Sequence, residues 1–275
     1  MSKKSRPGSR SRALVAATAV VVTLLTGAVG AGAAPATTAQ RARPTVILVH
    51  GALTDASVWR HEVEALQRKG YAVLAPAMPL RGLASDSAYL AAFLKTVSGP
   101  IVLAGHSYAG AVITRAAEGD PRVRALVYVT AFQPDTGETA GELNARFPGS
   151  RLGPDTTVVL EHPGGSELYL RQQDFRDVYA GDLSPSTAAL MAATQRPVET
   201  AALGEPLQGR PAWRDTPSWA LVATKDNSLP VATQRFMTAR AHSRTTEVAS
   251  SHAAPVSHPA EVTGLLLDAI RGTAY

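Results

Sequence analysis

The sequence feature that most constrains the fold is an apolar run that stops at a glycine and is followed at once by a serine-centred turn. Residues 100–104, Pro-Ile-Val-Leu-Ala, precede Gly105-His-Ser-Tyr-Ala-Gly110. The run predicts a buried strand, and the small residues on either side of Ser107 predict a sharp turn into a closely packed helix. Such a turn strains the serine backbone and exposes its hydroxyl. The segment predicts an activated serine; a plain glycine-rich turn is the alternative, since Ala109 replaces the last glycine of the G-x-S-x-G pattern.

Short apolar runs alternate with helix-like stretches along most of the chain. The runs predict six strands, near residues 45–49, 71–75, 100–104, 123–130, 218–223 and 245–249. The stretches predict helices at 56–68, at 85–97, directly after Ser107, at 231–241 and at 259–271. Strands that are apolar on both faces and joined by helices are typical of parallel sheets. The order therefore predicts an α/β fold with a mostly parallel sheet of about six strands flanked by helices.

The segment from about 133 to 215 interrupts this alternation. It contains several Pro and Gly residues, helical patches at 175–179 and 186–194, and no convincing strand. The pattern predicts a helical lid insertion, with a plain surface insertion as the alternative. Its apolar side chains are equally compatible with lining an acyl or aromatic pocket and with forming a small core of the insertion: Leu160, Leu168, Tyr169, Phe175, Tyr179, Leu190 and Met191.

The first 33 residues have the composition of a secretory signal peptide. An uncharged stretch from Ala13 ends in the small residues 31–33, Ala-Gly-Ala, and follows five basic residues: Lys3, Lys4, Arg6, Arg10 and Arg12. We expect cleavage near Ala34, secretion by the general route, and one domain over residues 34–275. An uncleaved membrane anchor is the alternative, which the Ala, Gly and Thr content and Pro35 disfavour.

The basic charge of the chain belongs to this leader. The sequence has 27 Lys and Arg against 22 Asp and Glu, a formal net charge of +5. The five basic residues of the first 33 account for the whole excess, so we expect no nucleic-acid or anionic-membrane partner for the mature protein. The sequence has no cysteine, which excludes disulfides, a thiol nucleophile, a lipid anchor on cysteine and a Cys-ligated metal.

A serine attacks a carbonyl only when a base accepts its proton, and that base needs a carboxylate to orient it. Asp226 follows the predicted strand at 218–223, and His252 follows the last predicted strand. The order Ser, acid, His, with each residue on a loop after a strand, is typical of one large class of serine enzymes. The pattern predicts a catalytic triad of Ser107, Asp226 and His252.

Other acids and histidines have simpler explanations. Asp135 follows the fourth predicted strand and is the alternative acid, although Pro134-Asp-Thr-Gly137 predicts a turn. His258 stands at the start of the last predicted helix, where a role at the helix terminus is expected. The remaining histidines lie in polar, helix-like or insertion segments and are predicted to be exposed: His61, His162 and His242.

The turn after the first strand supplies a candidate oxyanion hole. Gly51 permits a tight turn that lets the backbone N–H of Ala52 point inward, and the N–H of Tyr108 would be the second donor. His50 is expected to support this turn, and His106 to approach the pocket floor. Simple packing explains both histidines equally well.

From about Thr45 to its end, the chain resembles the α/β-hydrolase superfamily, and within it the small serine esterases close to plant methylesterases and hydroxynitrile lyases. The resemblance rests on residues 46–52 with Trp59, 105–110, 131–138, 194–197, and 224–226 with 251–252. It implies that Ser107 is the nucleophile, His252 the base and Asp226 the orienting acid, with Ala52 and Tyr108 supplying the oxyanion N–H groups.

The resemblance also favours one branch. The lyases of this group have a threonine in place of Gly51 and a lysine in place of Ala253. It therefore implies a secreted hydrolase of small-molecule carboxylic esters that forms an acyl-enzyme and uses no metal or cofactor. Amide hydrolysis, lactone hydrolysis or peracid formation on the same triad, and a binding protein on a hydrolase scaffold, are the alternatives.

Overall fold

A computed structural model of the chain describes residues 43–273. The predicted signal peptide and its cleavage site lie outside the described residues. Within them, no helix combines the length and the apolar character needed to cross a membrane.

Strands and helices alternate through the described residues. The strands are β1 (Thr45–Val49), β2 (Val73–Leu74), β3 (Ile101–His106), β4 (Val123–Val129), β5 (Thr157–His162), β6 (Gly165–Leu170), β7 (Val198–Glu199), β8 (Ser218–Ala223) and β9 (Arg244–Val248). The α-helices are α1 (Arg60–Arg68), α2 (Leu83–Leu94), α3 (Ala109–Ala116), α4 (Ala140–Ala145), α5 (Gln172–Tyr179), α6 (Pro185–Ala193), α7 (Thr200–Gly204), α8 (Val231–Arg240), α9 (Ala254–Ser257) and α10 (Pro259–Gly272). Short 3-10 helices span Ala56–Trp59 and Ala212–Arg214.

The main sheet has six parallel strands in the order β2-β1-β3-β4-β8-β9. The predicted α/β fold with a parallel sheet of about six strands is confirmed. Because β3, β8 and β9 run in the same direction, their carboxyl ends meet at one edge of the sheet. The loops that carry the three candidate catalytic residues all leave from that edge.

Alternating side chains of the central strands fill two apolar layers. On β3, Ile101 and Leu103 face one layer, Val102 and Ala104 face the other, and all four are inaccessible. Helices α2, α3 and α8 cover the first layer, whereas α1 and α10 cover the second. Burying each aliphatic side chain of this size contributes about 1.5–3 kcal/mol, so these layers hold the edge that carries the site.

The segment between β4 and β8 contains strands as well as helices. Helices α5 and α6 lie where helical patches were predicted, but β5, β6 and β7 form a three-stranded antiparallel sheet. The expectation of no strand there was wrong. The side chains of Val158, Val159 and Leu160 are each about half exposed, so β5 lacks the alternation that marks a strand in sequence. The signal that could have found the hairpin is its Pro163-Gly164 turn, in which Gly164 has φ +106°.

Glu62 on α1 is an unusual buried group. Its side chain is inaccessible, and neither carboxyl oxygen has a hydrogen-bond partner among residues 43–273. Burial raises the pKa of Glu62 from its ordinary value of 4.5 to about 8. The unfolded carboxyl therefore ionises first, and the free energy of unfolding should fall as pH rises from about 4.5 to about 8.

Replacing Glu62 with leucine should remove this loss of stability at higher pH. We expect the free energy of unfolding at pH 7 to rise by about 3 kcal/mol, since 1.36 kcal/mol accompanies each pKa unit between the two states. Urea unfolding at pH 4.5, 6, 7 and 8 measures the free energy of unfolding of both proteins, and the advantage of Glu62→Leu should vanish at pH 4.5. Glu64→Gln, on the exposed face of the same helix, is the control. Parallel pH curves for wild type and Glu62→Leu would contradict the prediction.

Candidate active site

Ser107 lies between β3 and α3, at the turn that the sequence predicted. Its φ is +54°, in the left-handed region that residues other than glycine rarely adopt. Its backbone is held on both sides: its N–H donates to Val129 O at 3.3 Å, and its carbonyl accepts from Gly110 N and Phe132 N. The strain is thus imposed by the surrounding structure, and the small residue at position 105 is required because a Cβ there would lie 2.7 Å from Ala109 O.

The side chains of Ser107, His252 and Asp226 form one hydrogen-bonded chain. Ser107 Oγ lies 2.8 Å from His252 Nε2, and His252 Nδ1 lies 2.7 Å from Asp226 Oδ2. A carboxylate can only accept, so Nδ1 carries the proton and Nε2 is free to accept one from the serine hydroxyl. All three side chains are buried, at 7%, 2% and 5% exposure. The structure brings together all three residues that the sequence singled out.

Asp226 accepts hydrogen bonds from four N–H groups. Oδ1 accepts from the backbones of Ser228 at 2.8 Å and Leu229 at 2.9 Å. Oδ2 accepts from His252 and from Gln234 Nε2, which lies 2.9 Å away. Sequence reasoning missed Gln234, because the helix Val231–Arg240 has no apolar face in sequence and buries mainly polar side chains.

The two predicted oxyanion donors remain available. Among the hydrogen bonds of residues 43–273, neither Ala52 N nor Tyr108 N has a protein acceptor. Both residues line the same cavity as Ser107. Gly51 brings the two turns together, because a Cβ on it would lie 2.6 Å from His106 O and 2.7 Å from Ser107 Cβ. Gly51 is thus required by close packing against the serine turn.

Both histidines beside these turns have structural partners. Met78 N–H donates to His50 Nε2 at 2.9 Å, so Nδ1 carries the proton and donates to Gly51 O at 3.0 Å. His106 Nε2 lies 2.9 Å from the carbonyl of His252. Burial and then the nearby His252 lower the pKa of His106 to about 3. A neutral His106 therefore donates to the backbone of His252 and lies behind the site.

Among the described residues, none of the rival acids and histidines lines the cavity that contains Ser107. Asp135 pairs with Arg214 and caps its own turn, and His258 directly precedes α10. His61 and His242 are exposed, as predicted. The prediction for His162 was wrong, since it is half-buried with Nε2 2.9 Å from Glu199. That pairing crosses the small sheet of the insertion, which the sequence did not reveal.

The insertion anchors the loop that carries His252. The backbone N–H of Ala253 donates to Tyr179 O at 3.1 Å, and the N–H of Ser251 donates to Asp182 Oδ2 at 3.0 Å. The Tyr179 ring packs edge-on against His252 with centroids 4.7 Å apart. Asp182 gave no sequence signal, because its partner is 69 residues away.

A cavity of about 570 Å³ opens at Ser107 and His252. The part of the chain that the structure describes places no Asp, Glu, Lys or Arg in its lining. Of the apolar insertion residues considered from sequence, Leu168 and Tyr179 line the cavity, whereas Phe175 belongs to the core and Leu160 and Leu190 are exposed. The pocket interpretation was therefore correct for Leu168 and Tyr179, whereas Phe175 packs in the apolar layer of the main sheet rather than in a separate core of the insertion. Over residues 43–273, no three His, Asp or Glu side chains are grouped to hold a metal ion.

A parallel α/β sheet with a strained serine, a histidine and a carboxylate at the ends of three strands defines the α/β hydrolases. The family model described as "Alpha/beta hydrolase family" matches residues 46–265. The chain belongs to this family, and the superfamily predicted from the sequence is confirmed.

Two relatives with named activities are hydrolases. A carbendazim hydrolyzing esterase of Nocardioides sp. (strain SG-4G) is 34% identical over 155 residues, 48% of this chain and 64% of that protein. The chain thus matches a little under two thirds of that esterase's length. A pyrethroid hydrolase of Sphingobium wenxiniae is 28% identical over 218 residues, 70% of this chain and 74% of the relative.

The fold is shared with a solved esterase of the predicted branch. The crystal structure of polyneuridine aldehyde esterase has a TM-score of 0.69 and 20% identity, and the match covers 82% of this chain and 99% of the esterase. The two relatives are named as an esterase and a hydrolase, which supports the expected class of carboxylic-ester hydrolase.

Proposed function

We propose that the protein is a serine hydrolase that cleaves neutral carboxylic esters of small molecules through an acyl-enzyme. The observation that carries the proposal is the unbroken hydrogen-bonded chain from Ser107 through His252 to Asp226 at the wall of an uncharged cavity. A hydroxyl whose proton has a ready acceptor, beside two backbone N–H groups that have no acceptor among residues 43–273, has what acyl transfer requires.

In the proposed reaction, Ser107 Oγ attacks the ester carbonyl while its proton passes to His252 Nε2. The N–H groups of Ala52 and Tyr108 stabilise the resulting oxyanion, and Asp226 stabilises the imidazolium. His252 then gives the proton to the departing alkoxide. Water, activated by the same histidine, releases the acid from the acyl-enzyme.

The uncharged lining of the cavity favours neutral substrates. A charged substrate would lose its hydration without gaining an ionic partner from the lining, whereas a neutral ester would bury apolar surface. Apolar residues of the insertion contribute much of the wall, including Leu152, Val159, Leu168 and Leu203. The relatives named for carbendazim and pyrethroids support small organic substrates.

Secretion is part of the proposal. The basic start, the uncharged stretch and the small residues 31–33 support removal of a signal peptide near Ala34. The absence of a metal or cofactor requirement likewise remains a prediction.

Hydrolysis of p-nitrophenyl esters from acetate to palmitate by residues 34–275 tests the function. We expect turnover that falls once the acyl chain outgrows the cavity, because the uncharged lining accepts apolar chains only up to its volume. Diethyl p-nitrophenyl phosphate should abolish it at one equivalent and add its diethylphosphoryl mass to the peptide that contains Ser107. A folded protein with no turnover and no labelling would contradict the proposal and favour a binding protein.

A further inference from the structure

Gln234 lies directly behind the carboxylate of Asp226, near the start of α8. Its side chain is only 1% exposed. Its Nε2 donates to Asp226 Oδ2 and to Leu229 O, both at 2.9 Å, and its Oε1 accepts from Ala223 N at 3.1 Å. The backbone N–H of Ala223 can only donate and Leu229 O can only accept, so these two partners fix the orientation of the amide.

These bonds join three separate segments around the carboxylate. Ala223 ends β8, Leu229 follows the loop of Asp226, and Gln234 belongs to the next helix. Oδ2 accepts from both Gln234 and His252, and Oδ1 accepts from two backbone N–H groups. Rotation of the carboxylate would break bonds at both oxygens, so the network selects one orientation of Asp226.

The network also stabilises the charge of Asp226. The carboxylate is 5% exposed, and its hydrogen-bond partners within residues 43–273 are N–H groups rather than Lys or Arg side chains. A buried charge without a cation depends on each such donor. Gln234 is the side chain that supplies one at the oxygen facing His252.

We propose that Gln234 is a positioning residue, which holds Asp226 Oδ2 against His252 Nδ1 and so keeps Nε2 ready to accept the proton of Ser107. This inference rests on the proposed function, since the role exists only if Ser107, His252 and Asp226 carry the reaction. Gln234 does not line the cavity, so its effect should fall on kcat and leave KM unchanged.

Two substitutions at this position separate hydrogen bonding from space filling. Gln234→Leu removes the donor, and we expect kcat to fall about 10- to 100-fold at every pH, as for loss of a hydrogen bond to a buried charge. Gln234→Glu keeps the shape. A protonated Glu side chain at this position would still donate to Asp226, whereas an ionised one would repel it.

The pH profile of Gln234→Glu is therefore the decisive measurement. We expect kcat within about fivefold of wild type at pH 6.5 and a further loss of about tenfold relative to wild type by pH 9. The titratable groups around Asp226 are His252 and Tyr179. Burial raises the pKa of Tyr179 well above 10.0, and dividing the kcat of the variant by that of wild type at each pH removes any contribution that the two proteins share.

Thr233→Val is the matched control. Thr233 is the neighbouring buried residue on α8, and its hydroxyl donates to Leu143 O, away from Asp226. This variant should lose one buried hydrogen bond and keep the wild-type kcat and pH profile. If Gln234→Leu fails to fold, the pH profile of Gln234→Glu still tests whether position 234 acts on Asp226, because it follows one folded protein across pH.

A Gln234→Glu profile with the wild-type shape would overturn the inference, as would a folded Gln234→Leu variant with the kcat of Thr233→Val. If wild type shows turnover that depends on Ser107 while the Gln234 variants behave like the control, only this inference fails. If wild type shows no such turnover, the proposed function fails first.

Discussion

Replacing Ser107 with alanine should lower kcat/KM for p-nitrophenyl esters by about 10⁶-fold, because it removes the hydroxyl that lies within hydrogen-bond distance of His252 Nε2. The fold should survive, since the strained turn is held by backbone bonds to Val129, Gly110 and Phe132 that alanine keeps. Steady-state kinetics and circular dichroism on the same preparations measure both expectations.

The control for this variant is Ser186→Ala, which changes an exposed serine of the insertion. It should retain full activity and full labelling by diethyl p-nitrophenyl phosphate. Substantial turnover by a folded Ser107→Ala protein would refute the serine mechanism and leave a contaminant or a different nucleophile as the source of activity.

Replacing Asp226 with asparagine should lower kcat by about 10⁴-fold while the cavity keeps its shape. Within residues 43–273 the carboxylate has four hydrogen-bond partners, all of them N–H donors, and an amide nitrogen cannot accept from any of them. An amide nitrogen turned toward His252 forces the proton onto Nε2, where it blocks transfer from Ser107. If the amide is turned the other way, its nitrogen faces the backbone N–H groups of Ser228 and Leu229, and donors then point at donors.

Two measurements check this expectation. The kcat of Asp226→Asn is compared with that of Asp268→Asn, which changes a surface carboxylate on α10 and should be silent. The KM should change little, because Asp226 does not line the cavity. A loss of less than tenfold would show that His252 is oriented by something other than this carboxylate.

The sequence was informative where a signal is local. An apolar run that ends at Gly105 and is followed by Ser107 and the small residue Ala109 requires a particular turn. The residues that determine this turn are adjacent in the chain, so the sequence alone predicts it. The loops of Asp226 and His252 were found because each directly follows a strand. The parallel topology then brought the strand ends together.

The sequence was uninformative where a signal depends on distant partners. Strand β5 packs too little of its apolar surface to show a period, and its register comes from β6. Gln234 and Asp182 look like ordinary polar residues until the fold places them against Asp226 and Ser251. Glu62 looks like one more polar residue of a surface helix until α1 packs on the sheet.

By itself, the sequence determined an α/β fold with a parallel sheet, the serine turn and the order of the three candidate catalytic residues, because strand, turn and helix preferences act between neighbours. Only the tertiary structure decided that Ser107, 145 residues from His252, lies 2.8 Å from its Nε2, and that the insertion closes an uncharged cavity over both. Distances, burial and cavity volume arise from packing between segments far apart in the chain, which no local pattern encodes.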